Sequence, residues 1–385
     1  MLSSTLHNIR DNVRNFNMQE LLLKENLVSF FLFILIIIII ICCLVYYFYM
    51  RNLVSKECSY MDGLYSALDA KIHSLNPSDA DCSGNLRDYY IKTAYNCCSA
   101  GSYKNDFVSI CALKDVLRQG VRGLDFEIYS VADKPVVATS TVSSYYVKET
   151  YNYVDFADVM TIVSNNAFNS ATAPNPRDPI IFHFRFMSNN QKMFDNLVAI
   201  FEKYSSLFLP AQYSFEDDKN GVKQNMGTTH LLDLNGKIVV IADNTNKAFS
   251  TNQGFYEYIN LTSNSVFMRA LNYYDVKNTP DLVELQNYNK QNMTISMPDV
   301  SATPTNPNAI ICRETGCQMI AMCYQMNDTF LQENNQFFDS SGYAFVLKPE
   351  KLRYVEVTIP APTQPNPALS YETRTVSSQY YNFNI

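Results

Sequence analysis

Proton exchange and metal binding near neutral pH draw on histidine, cysteine and clustered carboxylates, and this chain of 385 residues supplies them sparsely. Its four histidines, His7, His73, His183 and His230, are scattered. The ten cysteines include no Cys-x-x-Cys pair and no Cys/His group at zinc spacing, so structural zinc is not expected. No Gly-x-Ser-x-Gly elbow, Walker loop, His-Glu-x-x-His or dinucleotide glycine pattern occurs. Asp125 and Glu127 lie two apart within the apolar run Val121–Tyr129, and His183 and Arg185 two apart within Pro179–Phe186. Side chains two apart on a strand project to one face, so each pair would act side by side. Cys58, Cys82, Cys97, Cys98 and Cys111 are disulfide candidates if the chain faces an oxidising lumen, although Cys111 and Cys317 read more simply as buried small hydrophobes. Asn260, Asn292 and Asn327 open Asn-x-Ser/Thr triplets, which an Asn-rich chain produces by chance.

The elements that would position these groups follow from hydropathy. Between Glu25 and Arg51 the chain carries no charge, long enough at roughly 1.5 Å per residue to cross a hydrocarbon core of about 30 Å. We therefore expect a polar segment at 1–26, a single transmembrane helix at 27–50 and a helical linker at 51–85, the last because Met61, Leu64, Leu68 and Ile72 recur at helical spacing before Asn76-Pro-Ser-Asp79. Ile9, Val13 and Phe16 have the same spacing in the first segment. Arg10, Arg14 and Lys24 nearly balance Arg51, Lys56 and Lys71, so loop charge leaves the orientation open. Beyond the linker, the strand-like runs Val121–Tyr129, Pro179–Phe186 and Gly236–Ile241 alternate with helical Phe107–Arg118, Phe156–Phe168 and Gln191–Tyr204. Repeated strand-helix units mean a parallel sheet, either an eight-stranded barrel or a doubly wound open sheet. A Pro-rich extended tail is expected at 357–385. The net charge of −7, with no basic run, argues against duplex nucleic acid as a partner. Many Tyr, Phe and Asn residues without Trp fit an AT-rich genome such as those of large DNA viruses or some protists.

The run 316–353, with Gly316-Cys-Gln318, Gly342-Tyr343, Val346-Leu-Lys-Pro349 and Leu352-Arg353, resembles the Y half of the catalytic barrel of eukaryotic phosphoinositide-specific phospholipases C. Leu234-Asn-Gly-Lys-Ile-Val-Val240 is similar to the strand that opens that half. Ala112-Leu113, Gly120-Val-Arg-Gly-Leu-Asp-Phe-Glu127 and Pro179-Ile-Ile-Phe-His-Phe-Arg185 resemble parts of the X half. The resemblance implies an α/β fold of the TIM-type (β/α)8 kind over 86–356, with an X-like half at about 86–205 and a Y-like half at about 229–356.

That family uses two histidines and a calcium ion to cleave a phosphodiester through attack of the inositol 2-hydroxyl. Carried onto this chain, the first histidine falls on Tyr95 and the second on Thr139, neither of which exchanges protons near neutrality. No catalytic position is then intact, and His183 is the one candidate surrogate. The resemblance implies Asn96, Asp125 and Glu127 as calcium ligands, while the fourth ligand position falls on Arg185, a cation that would oppose calcium or pair with the two acids instead. Lysines that grip ring phosphates in the family fall on Ile241 and Asp243, and an arginine on Ile295. With three residues of each charge in the first 50, residues 51–385 keep 27 basic and 34 acidic side chains, a surface that repels anionic lipid. The expectation is a single-pass membrane protein whose barrel is catalytically inactive, needs no cofactor and serves as a structural or interaction module for a partner not legible here. Two alternatives stand beside it: an active calcium-dependent phosphatidylinositol phosphodiesterase, and a module that holds a lipid headgroup without cleaving it. A substitute thiol nucleophile at Cys97 lacks a paired base.

Overall fold

The structure, a computed structural model, describes residues 24–142, 147–214, 218–219, 222–223, 225–356 and 372–385. The polar segment, with Ile9, Val13 and Phe16, and the Pro-rich stretch at 357–371 lie outside them. Eight parallel strands form the barrel: β1 (Tyr89–Ala94), β2 (Gly123–Val131), β3 (Ile180–Phe186), β4 (Ile238–Asp243), β5 (Leu261–Ser263), β6 (Met268–Asn272), β7 (Met293–Met297) and β8 (Met319–Met322). Neighbours pair in the order β6-β7-β8-β1-β2-β3-β4-β5, and only four residues, 264–267, separate β5 from β6, which are in contact without a shared ladder among the described residues. The closed arrangement, and not the open sheet, is therefore the one this chain adopts.

Alternation decides what each strand buries. On β3, Ile180, Phe182, Phe184 and Phe186 face the outer layer, where Phe126, Phe156 and Phe201 meet them at ring-centroid distances of 5.4–6.3 Å. Ile181 joins the inner cluster with Ile91, Val239, Ile241, Leu261, Ile295 and Met319. Burying one such phenylalanine is worth about 1.5–3 kcal/mol, so the outer layer fixes strand register firmly. The register sets Asp125 opposite His183 and Glu127 opposite Arg185. Gly123 is required where β2 passes β1, since a Cβ there would overlap the Thr93 side chain.

Outer helices include α2 (Ile110–Arg118), α3 (Phe156–Ile162) and α4 (Gln191–Lys203), close to the three expected stretches, and α5 (Leu282–Gln291), α6 (Ala309–Glu314) and α7 (Thr329–Ser341), which no expected stretch covers. Side-chain caps start several of them: Ser109 accepts from Cys111 N, Asn190 from Lys192 N and Asp328 from Leu331 N. Gly342, at φ +80°, ends α7. β4 runs two residues beyond the expected strand, which carries Asp243 to its C-terminal end.

The N-terminal helix α1 spans Lys24–Tyr65 in 42 residues, and its apolar portion is long enough to cross a membrane. It stops earlier than the Met61, Leu64, Leu68, Ile72 spacing predicts. The backbone of 66–73 bonds to other segments instead, with Asp69 N donating to Arg118 O and His73 N to Gly342 O, which no helix allows. Met61 and Tyr65 are buried, and Tyr65 donates to Tyr324 O at 2.8 Å. Cys58 is disulfide-bonded to Cys111, correcting the reading of Cys111 as a simple core thiol; a contact between residues 53 apart leaves no periodic trace in the sequence. Residues Tyr354–Ile385 form a separate unit whose described part is a hairpin pairing Thr375–Ser377 with Asn382–Asn384, where an extended tail was expected.

Candidate functional site

The C-terminal ends of β1 to β5 bring the chemically capable residues together, as barrel geometry dictates. Asp125 and Glu127 project inward from β2, His183 and Arg185 from β3, and Tyr95 and Asn96 follow β1. Asn96 takes a left-handed conformation, φ 44°, which a short amide side chain tolerates. From there its backbone N–H donates to Asp125 Oδ2 at 3.2 Å and its Nδ2 to Glu127 Oε1 at 3.3 Å.

Arg185 occupies the centre. Its Nε donates to Asp125 Oδ1 at 3.1 Å, Nη1 to Glu127 Oε1 at 2.8 Å, and Nη2 both to Asp125 Oδ2 at 2.7 Å and to Asn96 Oδ1 at 2.9 Å. Four of the five guanidinium donors are thus engaged by the three residues that the resemblance assigns to calcium. The Tyr95 ring covers the guanidinium with its centroid 4.6 Å from Cζ. Glu127 Oε2 accepts from Tyr129 OH at 2.7 Å and Ser140 N at 3.0 Å, so each of the four carboxylate oxygens has a donor. Burial alone would push the Asp125 carboxyl up; the Arg185 guanidinium and the hydrogen bonds from His183 and Arg185 outweigh it and hold the group well below the usual carboxylate range. Arg185 answers in kind: burial would lower it, and Asp125 with the other anions around it drives it well above its ordinary value.

His183 is fully buried. Its Nδ1 lies 2.7 Å from Asp125 Oδ1 and its Nε2 3.0 Å from Ser263 Oγ, and Ser263 donates in turn to Asp243 Oδ2 at 3.0 Å. Asn264 Nδ2 and Thr245 N also donate to Asp243. The imidazole bridges β2 and β5 inside the wall and reaches no solvent. Thr139 donates its hydroxyl to Tyr103 O at 2.9 Å. Burial raises the Tyr95 phenol far above its free value. Cys97 is buried as well, its thiol pushed up by burial and bonded to Ala94 O at 3.4 Å, so thiolate chemistry has no footing there. Ile241 and Ile295 are packed in the barrel interior.

A calcium ion does not fit this donor set. Asn96 Oδ1 and three of the four carboxylate oxygens already accept from Arg185 or Asn96, and the ion would need to displace a guanidinium held by two charged partners. Among the described residues no group of three or more His, Cys, Asp or Glu side chains is arranged to hold a metal. Beside Arg185 opens a cavity of about 260 Å³ whose lining includes Tyr95, Met187, Asp243, Asn246, Asn264 and Asn272; of its described lining residues Arg185 alone is basic. Tyr129, Ser140, Asp243 and Ser263 complete the network without having been singled out as participants. Tyr129 was within reach, two residues beyond Glu127 on the same strand face, whereas Ser263 lies 80 residues from His183 with no local pattern to mark it.

Comparison with known proteins bears on the same region. Residues 237–351 match the family described as "Phosphatidylinositol-specific phospholipase C, Y domain". The crystal structure of PLC21 from L. pealei is similar at a TM-score of 0.58 and 18% identity, over 71% of this chain and 38% of that one. PLC21 from S. officinalis is similar at 0.55 and 18%, over 73% and 39%. This chain therefore corresponds to about two fifths of the length of those proteins. No curated protein sequence matches it.

Proposed function

We propose, for a chain whose barrel has the fold of phosphoinositide-specific phospholipase C barrels, a role without catalysis: a module anchored by the single helix at 27–50 that presents the barrel as a structural or interaction surface. The observation that carries this reading is Arg185, bonded at once to Asn96, Asp125 and Glu127. It is an internal counter-ion where the reaction needs a divalent cation, and the positions of both proton-exchanging histidines hold Tyr95 and Thr139. Loss of chemistry leaves the fold intact because the strand layers supply stability while the loops and strand ends supply catalysis. The cavity beside Arg185 disfavours a phosphorylated headgroup, since its one cation is neutralised and Asp243 adds negative charge.

The test is phosphatidylinositol hydrolysis by the full chain in detergent-lipid mixed micelles, with millimolar calcium or with a chelator, beside Asp125→Asn. Release of diacylglycerol at the rate of the protein-free blank in every arm is expected. Calcium-dependent release that disappears in Asp125→Asn would establish the active phosphodiesterase instead.

A further inference from the structure

We infer that the barrel lies on the oxidising side of its membrane, locked to its anchor by the Cys58–Cys111 disulfide and carrying an N-glycan acceptor at Asn327. The inference rests on the anchor reading above and adds an orientation that loop charge leaves open. Cys58 is the eighth residue of α1 past Met50, about 12 Å further along the helix. Cys111 stands in the first turn of α2, with the two Cα atoms 5.8 Å apart, inside the span a disulfide bridges. The bond therefore joins the anchor helix covalently to the barrel. Disulfides of this kind persist in secreted and lumenal proteins and are rare where glutathione and thioredoxin keep thiols reduced.

The remaining cysteines fit the same side. Cys82, Cys97, Cys98, Cys312, Cys317 and Cys323 are all buried, and the two exposed free thiols, Cys42 and Cys43, lie in the apolar stretch that lipid would cover. Among the described residues beyond position 50, no free thiol is left open to oxidation or exchange. The glycosylation triplets divide by their surroundings. Asn260 is buried, its Oδ1 accepting from Val240 N at 2.8 Å and its Nδ2 donating to Tyr213 O at 3.1 Å, so a glycan there is incompatible with the fold. Asn292 is half-buried and accepts from Asn225 Nδ2 at 3.3 Å. Asn327, just before α7, is exposed.

Both modifications balance with reagents of known class. A thiol-disulfide oxidoreductase supplies the oxidant: one cysteine thiolate attacks its disulfide, the second displaces the mixed disulfide, and two electrons and two protons leave the pair as the enzyme becomes a dithiol. At Asn327, Nδ2 displaces a lipid diphosphate from the anomeric carbon of a lipid-linked oligosaccharide. The N–C bond forms, the C–O bond breaks and one amide proton is lost.

The experiment translates the full chain with sealed microsomes. Alkaline carbonate extraction tests the anchor by itself: release from the membrane would refute the anchor reading, whereas retention leaves orientation to the remaining arms. With retention, the barrel is expected to resist protease added outside until detergent opens the vesicles. Thiol alkylation under denaturing conditions should label the eight free cysteines before reduction and all ten after it, while Cys58→Ser frees Cys111 for labelling without reduction. A single glycosidase-sensitive shift should vanish in Asn327→Gln. Digestion of the barrel in intact vesicles, or labelling of all ten cysteines before reduction in a protected chain, overturns the orientation and the lock respectively. The absence of a glycan, or one that survives Asn327→Gln, overturns the acceptor assignment.

Discussion

The barrel buries a cation at each end, and the two are held in opposite ways. At the mouth, Arg185 is clasped by Asp125 and Glu127 and raised well above its ordinary value. At the floor, beside the start of β1, Lys348 is 1% exposed and donates only to backbone carbonyls, Asn289 O at 2.8 Å and Gly316 O at 3.3 Å. Burial lowers its ammonium to about 7, with Asp88 opposing the shift at longer range. The contrast shows that partners, more than depth, decide whether an interior charge is permanent or titratable. A permanent cation suits a site that must stay filled. It is also the wrong occupant for a site that must accept a metal.

Removing the clasp should give the largest effect. Arg185→Met strands two buried carboxylates and is expected to cost about 3–5 kcal/mol in denaturant unfolding. Adding Asp125→Asn and Glu127→Gln should recover most of that loss, because the three charges disappear together; a triple variant as unstable as the single one would show that the charges do not depend on one another. Arg185→Glu places a carboxylate at the position where the resemblance implies one. That variant should gain calcium-dependent stability, about 2.7 kcal/mol when calcium is a hundredfold above its dissociation constant, while the wild-type melting temperature stays unmoved by calcium. Ser263→Ala removes the hydroxyl between His183 and Asp243 and should cost about 1–3 kcal/mol by leaving buried polar groups short of a partner. The floor should respond to pH. Unfolded lysine keeps its proton to about 10.4 while folded Lys348 loses it near 7, so the unfolded state binds more protons in that window and stability rises with pH across it. The difference in unfolding free energy between wild type and Lys348→Met should grow across that window by at most about 1.4 kcal/mol per pH unit, and a difference that stays flat would show that the ammonium is satisfied where it lies.

The elements were legible where patterning is local. Ile180–Phe186 reads as a strand because its alternate residues are phenylalanines, and the same alternation points His183 and Arg185 inward. Pairing of Arg185 with Asp125 and Glu127 could be anticipated once two strands of one sheet carried opposite charges. Ser263 could not, because it meets His183 only through the path of the whole barrel wall. The end of α1 was misplaced for a related reason: Leu68 and Ile72 keep helical spacing, but backbone bonds to Arg118 and Gly342 give 66–73 a better tertiary use.

By itself the sequence determined the apolar helix and the alternating α/β order, since composition and short-range periodicity encode these directly. Tertiary structure decided that Cys58 reaches Cys111, closed the sheet that strand-helix alternation left open, and brought Asn96 together with both acids onto one guanidinium. Each of those is a distance between residues far apart in the chain, fixed by packing the phenylalanine layer and the inner apolar layer against the two faces of the same strands.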